Sequence, residues 1–200
     1  MIEVEGLTKK YGDKTVFENL SLSFPKGTCA VFTGASGVGK TTLLRVIAGL
    51  EQPDAGTVTG TEGLRPAFIF QENRLIPRLS ALDNILCVAP DRETALRYLE
   101  KVGLADAKDK AAASLSGGMK RRLAIARALA YGGDVFFMDE PLRELDRETE
   151  DRVKQLLYDE TLGKTALLIT HDAAFAKQMG DTVFFFSGEP MTLQKAPNEA

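Results

Sequence analysis

Gly34-Ala35-Ser36-Gly37-Val38-Gly39-Lys40-Thr41-Thr42 follows the apolar run Cys29-Ala30-Val31-Phe32 and leads into Leu43-Leu44-Arg45-Val46-Ile47-Ala48. The order predicts a buried strand, a glycine-rich turn and an amphipathic helix, the setting that a phosphate-binding loop requires. Within it the spacing runs Gly34, four residues, then Gly39-Lys40-Thr41. Glycines let such a loop fold back with its amides inward, so that backbone N–H groups and the positive end of the helix dipole converge on an anion. On this reading residues 34–42 form the binding loop, Lys40 reaches the β- and γ-phosphates, and the Thr41 hydroxyl ligates Mg²⁺. A glycine-rich strand-to-helix turn that binds nothing has the same local pattern, and the motifs further along the chain separate the two.

On the N-terminal side, Ile2-Glu3-Val4-Glu5 alternates, Thr15-Val16-Phe17 follows a Gly12-Asp13 turn, and Leu20 to Phe24 alternates again before Pro25-Lys26-Gly27. Alternation interrupted by turn residues predicts short strands in a small antiparallel β layer ahead of the core strand. Tyr11 stands at the first turn of that layer, where its ring can pack locally or stack on a purine. On the C-terminal side the loop's helix is expected to end near Gly49, with a turn at Pro53-Asp54-Ala55-Gly56 and a short strand at Thr57-Val58-Thr59. Ala67-Phe68-Ile69-Phe70 reads as a buried strand that ends on Gln71. The sequence then changes character. Leu79, Leu82, Ile85 and Leu86 follow helical spacing, and Arg92 to Val102 predicts a second helix with Ala95, Leu96, Leu99 and Val102 on one face. These segments read as a helical insertion into an α/β core.

Leu115-Ser116-Gly117-Gly118-Met119-Lys120-Arg121-Arg122 opens another helix, with Met119, Leu123, Ala126 and Ala130 at apolar positions. Ser116 is a good N-cap, and Gly117 and Gly118 leave the first-turn amides open to a second anion. The basic run Lys120 to Arg122 reads as a solvated face, too short and too poor in aromatics for a nucleic-acid contact. Asp134 to Met138 is an apolar strand that delivers Asp139 and Glu140 at its carboxyl end, the end of an open parallel sheet at which ligands sit. Asp139 can hold Mg²⁺ through its water shell, and Glu140 can orient or deprotonate an attacking water. Thr165 to Ile169 is a further core strand, and His171, the one histidine of the chain, lies just past its carboxyl end. Asp181 to Phe186 completes the strands, and Ala196 to Ala200 reads as a polar, frayed end.

Composition bounds the function. The 200 residues carry 44% hydrophobic side chains and a net charge of −3, enough for one sizeable core and opposed to a basic nucleic-acid face. No nucleic-acid partner is therefore expected. Cys29 and Cys87 sit in apolar stretches without metal-ligand spacing, which suits a reducing compartment. No secretory pattern opens the sequence and no apolar run approaches the roughly 20 residues of a membrane span, so any membrane role is expected to come through a partner.

Over nearly its whole length the chain resembles the nucleotide-binding subunit of an ATP-binding cassette (ABC) transporter. The motifs fall in the family's order: the phosphate loop at Gly34 to Thr42, Gln71 at the Q-loop, Leu115-Ser116-Gly117-Gly118 at the fingerprint, Asp139-Glu140-Pro141, Leu145-Asp146 at the D-loop and His171 at the switch position. The phosphate loop is common to many NTPases, whereas the fingerprint lying between Gln71 and Asp139 is far more specific. Gln71 to Pro77, with Leu79 and Leu82-Asp83-Asn84, looks like the taurine, sulfonate and nitrate importer branch. The sequence departs from the family at Met119, where Gln is usual, and at Arg143-Glu144, where a small pair usually precedes Leu-Asp.

The resemblance implies an α/β fold of the ABC ATPase type: a P-loop NTPase core with a mainly parallel sheet, an N-terminal antiparallel β layer and a helical insertion. The expected division is a core of residues 1–72 and 134–200 with a helical subdomain at 73–133. It implies ATP as substrate and Mg²⁺ held by Thr41, Gln71 and Asp139. Lys40, Gln71, Glu140 and His171 would serve hydrolysis, with Tyr11 stacked on adenine. Two subunits would pair head to tail, so that Ser116, Gly117 and Gly118 of one cover the γ-phosphate held by the other. Further partners implied are transmembrane permease subunits and a periplasmic or surface solute-binding protein, with the chain on the cytoplasmic face of the membrane. Two other roles share the motifs: an exporter or lipid-release ATPase, and a soluble ATPase of cluster assembly.

Overall fold

Val31 and Phe32 are wholly buried in the apolar run Cys29 to Phe32, and such a run in a strand needs cover on both of its faces. The computed structural model, which describes residues 1–194, supplies that cover with helices on one side and with a helix and a second sheet on the other. Residues 196–200, expected to be a frayed end, lie outside the described residues.

In chain order the elements are β1 (Ile2–Tyr11), β2 (Lys14–Phe24), β3 (Cys29–Gly34), α1 (Lys40–Ile47), β4 (Ala55–Thr59), β5 (Pro66–Ile69), α2 (Ala81–Leu86) and α3 (Arg92–Lys101). They continue with α4 (Gly117–Tyr131), β6 (Val135–Asp139), α5 (Arg147–Thr161), β7 (Thr165–Ile169), α6 (Ala173–Met179), β8 (Thr182–Ser187) and β9 (Thr192–Gln194). The larger sheet has the order β5-β6-β7-β3-β8-β9, parallel except for β9. Here β3 sits between β7 and β8, so its carboxyl end opens at the middle of the sheet. The smaller sheet, β2-β1-β4, is antiparallel.

Each core strand divides its side chains between the two faces. Cys29, Val31, Phe136 and Met138 join the cluster formed with α2, α3, α4 and α6, while Ala30, Phe32, Val135 and Phe137 join the cluster under α1 and the small sheet. The apolar residues of α2, α3 and α4 belong to the same cluster as one sheet face, so the helical segment shares its core with the sheet.

Two sequence expectations change, and two helices are new. The short strands of the N-terminal layer are two long, bent ones. Register breaks occur beside Gly6, at φ 57°, and Asn19, at φ 51°, and the Ser21 and Thr8 hydroxyls accept the N–H groups of Gly6 and Asn19 there. On α3 the buried face is Ala95, Tyr98 and Leu99 with Val102 following, whereas Leu96 is exposed. The helices α5 and α6 have no counterpart in the sequence reading; α5 buries only Val153, Leu157 and Thr161 out of a heavily charged stretch.

Candidate active site

The loop between β3 and α1 needs glycine where the backbone is both left-handed and crowded. A Cβ at Gly34, with φ 129°, would stand 2.0 Å from the Phe186 carbonyl oxygen, and one at Gly39, with φ 119°, would stand 2.4 Å from Val16 Cγ1. These two close approaches fold the loop over the carboxyl end of the sheet. Lys40 opens α1 and is almost wholly buried, its Nζ donating to the carbonyls of Gly34 at 2.9 Å and Ala35 at 2.7 Å. Burial lowers its pKa, and the carboxylates of Glu140 and Asp139 work against that shift.

Strand β6 carries the acids to the same place. Asp139 is buried and accepts the Thr41 hydroxyl at 2.9 Å. Its pKa is raised by burial, against the pull of that hydrogen bond and of Arg45 and Arg121. The next residue turns: Glu140 has φ 48°, a left-handed conformation that costs about 1–3 kcal/mol outside glycine and persists where the surroundings over-determine it. Its N–H donates to the Ile169 carbonyl at 3.0 Å. The carboxylate then points toward His171, whose Nε2 is 3.1 Å from Oε1, yet the alignment makes no hydrogen bond and the buried Oε1 has no donor. Burial accordingly raises the Glu140 pKa, with Asp139 adding to the shift and His171 opposing it.

Lys40, Thr41, Gln71, Asp139, Glu140 and His171 all line one cleft of about 230 Å³, together with Ser36, Gly37, Gly39 and Thr42. A second cavity of about 190 Å³ shares Gly37, Gly39 and Thr42 with it and extends past Val38 to Tyr11. The Tyr11 ring is half exposed, with its hydroxyl bonded to Glu51 and the Lys9 ammonium 5.1 Å from its centroid. The glycine-rich loop between β3 and α1 is thus the shared wall of a polar cleft and of a hollow edged by an aromatic ring.

The donor set suits a hard cation that keeps part of its water. Among the described residues no three His, Cys, Asp or Glu side chains converge as a metal cage. Two adjacent oxygen donors, Thr41 and Asp139, with Gln71 on the same wall, match Mg²⁺, which takes one or two protein carboxylates and fills its shell from water and phosphate.

Ser116, Gly117 and Gly118 do not line the cleft. Ser116 caps α4 by accepting the Met119 N–H at 3.3 Å, and Glu144 lies against the two glycines, its carboxylate 3.5 Å from where a Gly117 Cβ would be.

The basic run that follows is not a solvated face. Arg121 is 1% exposed and donates to the carbonyls of Phe70, Gln71, Asp139, Glu140 and Pro141. The signal was present as spacing, since Arg121 stands four residues before buried Ile125 and seven before buried Ala128. Arg122 donates to the Val102 and Gly103 carbonyls, and Arg127 to those of Arg74 and Asn73.

Comparison with known proteins places the chain in a family and a fold. A family model described as ABC transporter matches residues 17–143. An aliphatic sulfonates import ATP-binding protein of Rhodococcus jostii (strain RHA1) is 40% identical, over 96% of this chain and 81% of its own length. The lipoprotein-releasing system ATP-binding protein of Bacteroides thetaiotaomicron is 36% identical, over 94% of this chain and 98% of its own. Among solved structures, a dimeric bacterial ABC transporter cassette superposes with a TM-score of 0.84 at 30% identity, covering 92% of this chain and 94% of that one. The post-hydrolysis dimer of such a cassette, bound to ADP and Pi, also gives 0.84, at 28% identity and over 98% of this chain.

Proposed function

The chain belongs to the ABC transporter ATP-binding family, and from that premise we propose that it is a Mg²⁺-dependent ATPase subunit powering a membrane importer of a small solute. The observation that carries the reading is the convergence of Lys40, Thr41, Gln71, Asp139, Glu140 and His171 on one cleft at the carboxyl end of the sheet.

Each residue has a task that its position suits. The Lys40 ammonium, poised on two loop carbonyls, would turn to the β- and γ-phosphates of ATP. Thr41, Asp139 and Gln71 would hold Mg²⁺, which when bound neutralises charge between the transferring and leaving phosphates. Glu140 would orient the attacking water and draw its proton; burial has made this carboxylate a better base than an exposed one. His171, beside Glu140, would hold the γ-phosphate end of the cleft. Tyr11 would stack on adenine at the far end of the loop. Ser116, Gly117 and Gly118, away from this chain's own cleft, would cover the γ-phosphate of a second copy in a head-to-tail pair.

Replacing Lys40 by Ala tests the assignment. Hydrolysis should fall by at least about 100-fold in a protein that still folds, because the cation facing the transferred group is gone. Turnover at the wild-type rate in folded Lys40→Ala would remove the phosphate-loop assignment.

Among the described residues no helix is long and apolar enough to cross a membrane, so transport would need transmembrane permease subunits. The chain would then sit on the cytoplasmic face, with a periplasmic or surface solute-binding protein in the same system. A 240 Å³ apolar hollow beside Leu75 and Pro77, next to exposed Ile76, would receive a permease's cytoplasmic helix. The relative from a lipoprotein-releasing system supports a second reading, an ATPase of lipid release. Copurification from membranes and identification of the bound permease separates the two.

A further inference from the structure

The ladder between β5 and β6 ends at the pair Ile69 and Met138. Beyond it the two chains run on to Gln71 and Glu140 with no strand-to-strand hydrogen bond between them, and the Arg121 guanidinium fills that place. One edge of the fork faces the end of β5, where Nη1 donates to the Phe70 carbonyl and, at 3.4 Å, to that of Gln71. The other edge faces the end of β6, where Nη2 donates to Glu140 at 2.6 Å and Asp139 at 3.2 Å, and Nε to Pro141 at 2.8 Å.

We propose that Arg121 is a positioning residue for hydrolysis, a brace from α4 that holds the main chains of Gln71 and Glu140 in one fixed relation. The proposal rests on the reading of the cleft as an ATPase site and adds to it a residue outside the cleft wall. Three features support it. All the acceptors of Arg121 are main-chain carbonyls at the two strand ends, and a rigid planar fork can span both where an ammonium group cannot. The Glu140 peptide is pinned on both sides, its N–H by Ile169 and its carbonyl by Arg121, which holds its left-handed turn and aims its carboxylate. The same helix adds Arg127, bonded to Asn73 and Arg74, so the whole segment from Phe70 to Arg74 hangs on two guanidinium groups of α4. Burial lowers the Arg121 pKa to about 10, which leaves the group charged at neutral pH.

Two variants test this, Arg121→Lys, which keeps the charge and loses the fork, and Arg121→Met, which keeps the bulk. Affinity for a fluorescent ATP analogue should stay within about threefold, since Lys40 and the loop are untouched, whereas kcat should fall about 100-fold with KM nearly constant, the scale of a 1 Å misplacement. Hydrogen exchange by mass spectrometry should show residues 70–74 and the amides of Asp139 and Glu140 exchanging faster together, with residues 34–42 unchanged. If Arg121→Met does not fold, Arg121→Lys decides alone. Wild-type kcat and wild-type exchange in folded Arg121→Lys would overturn the proposal, as would a loss of activity that merely follows the folded fraction. Exchange separates this outcome from failure of the ATPase reading: a wild-type chain that hydrolyses no ATP removes that reading, while coupled exchange at the two segments still reports the brace.

Discussion

In its proposed role, Glu140 carries a conflict between folding and chemistry within one side chain. Its Oε1 is buried without a donor and its pKa is raised, first by burial. An acid whose folded pKa lies above its unfolded pKa binds protons more readily when folded, so its contribution to stability falls as pH rises from the unfolded value through the folded one. At neutral pH the ionised group therefore destabilises the fold. Glu140→Gln should abolish hydrolysis and still raise the melting temperature of the nucleotide-free protein by a few degrees, about 2–4 °C for each kcal/mol recovered at this size. Calorimetry at pH 7 checks it, and a lower melting temperature would show that the charge has a partner. If Glu140 draws the proton as proposed, the same raised pKa should move the acid limb of the rate profile above the ordinary glutamate range, because only an ionised carboxylate can accept it. Asp139 and Glu140 were legible as a pair because acids directly after an apolar strand have no packing reason to be there. Arg121 was legible only as helical spacing, a signal overridden because a basic run reads as surface until tertiary structure supplies the carbonyls that make its burial tolerable.

At the scale of elements, the segment bearing His171 is held by its neighbours. Asp172 accepts the Phe175 N–H at 2.9 Å, capping α6, and also takes the Lys154 ammonium of α5 at 2.6 Å. The Lys154 hydrogen bond is the leading cause of a lowered Asp172 pKa, followed by the Phe175 N–H. A depressed acid pKa contributes stability that is full above the unfolded value and lost as pH falls through the folded one. Asp172→Ala should cost about 1 kcal/mol for the cap and at most about 1 more for the partly exposed ion pair. Melting curves of the two proteins should differ most at pH 7 and draw together in acid until only the cap share separates them, and Asp172→Asn should recover that cap share only. A gap that stays constant down to acid pH would place the effect in packing. These caps also mark what local sequence reveals. Ser116 and the glycine loop announce α4 and α1, since spacing and residue type agree there with tertiary structure. The stripe of α5 is thin, only Val153, Leu157 and Thr161 being buried. Strand order was likewise hidden, because each apolar strand fits any slot of a sheet covered on both faces.

For the whole molecule, the deciding surface is the one at which two copies would meet. Arg143 and Glu144 are exposed, and Glu144, at φ 69°, lays its carboxylate on Gly117 at the start of α4. That helix end is where the γ-phosphate bound by a second copy is proposed to arrive, so the carboxylate already occupies the favourable end of the dipole and repels the incoming anion. Two unit charges about 4 Å apart repel by about 1 kcal/mol at the dielectric of water, and a two-fold pair repeats the clash. About 2 kcal/mol in all corresponds to roughly 30-fold in association. Glu144→Gln, in the Glu140→Gln background that keeps ATP intact, should therefore associate about 30-fold more tightly with ATP at low salt. The advantage should shrink toward unity as salt screens the charge, since the Debye length falls to about 3 Å at 1 M. Sedimentation at low and high salt measures both. Equal or weaker association of Glu144→Gln would mean that the charge joins the interface, bonding a cation of the facing subunit, and the closed pair would then tighten as salt is lowered.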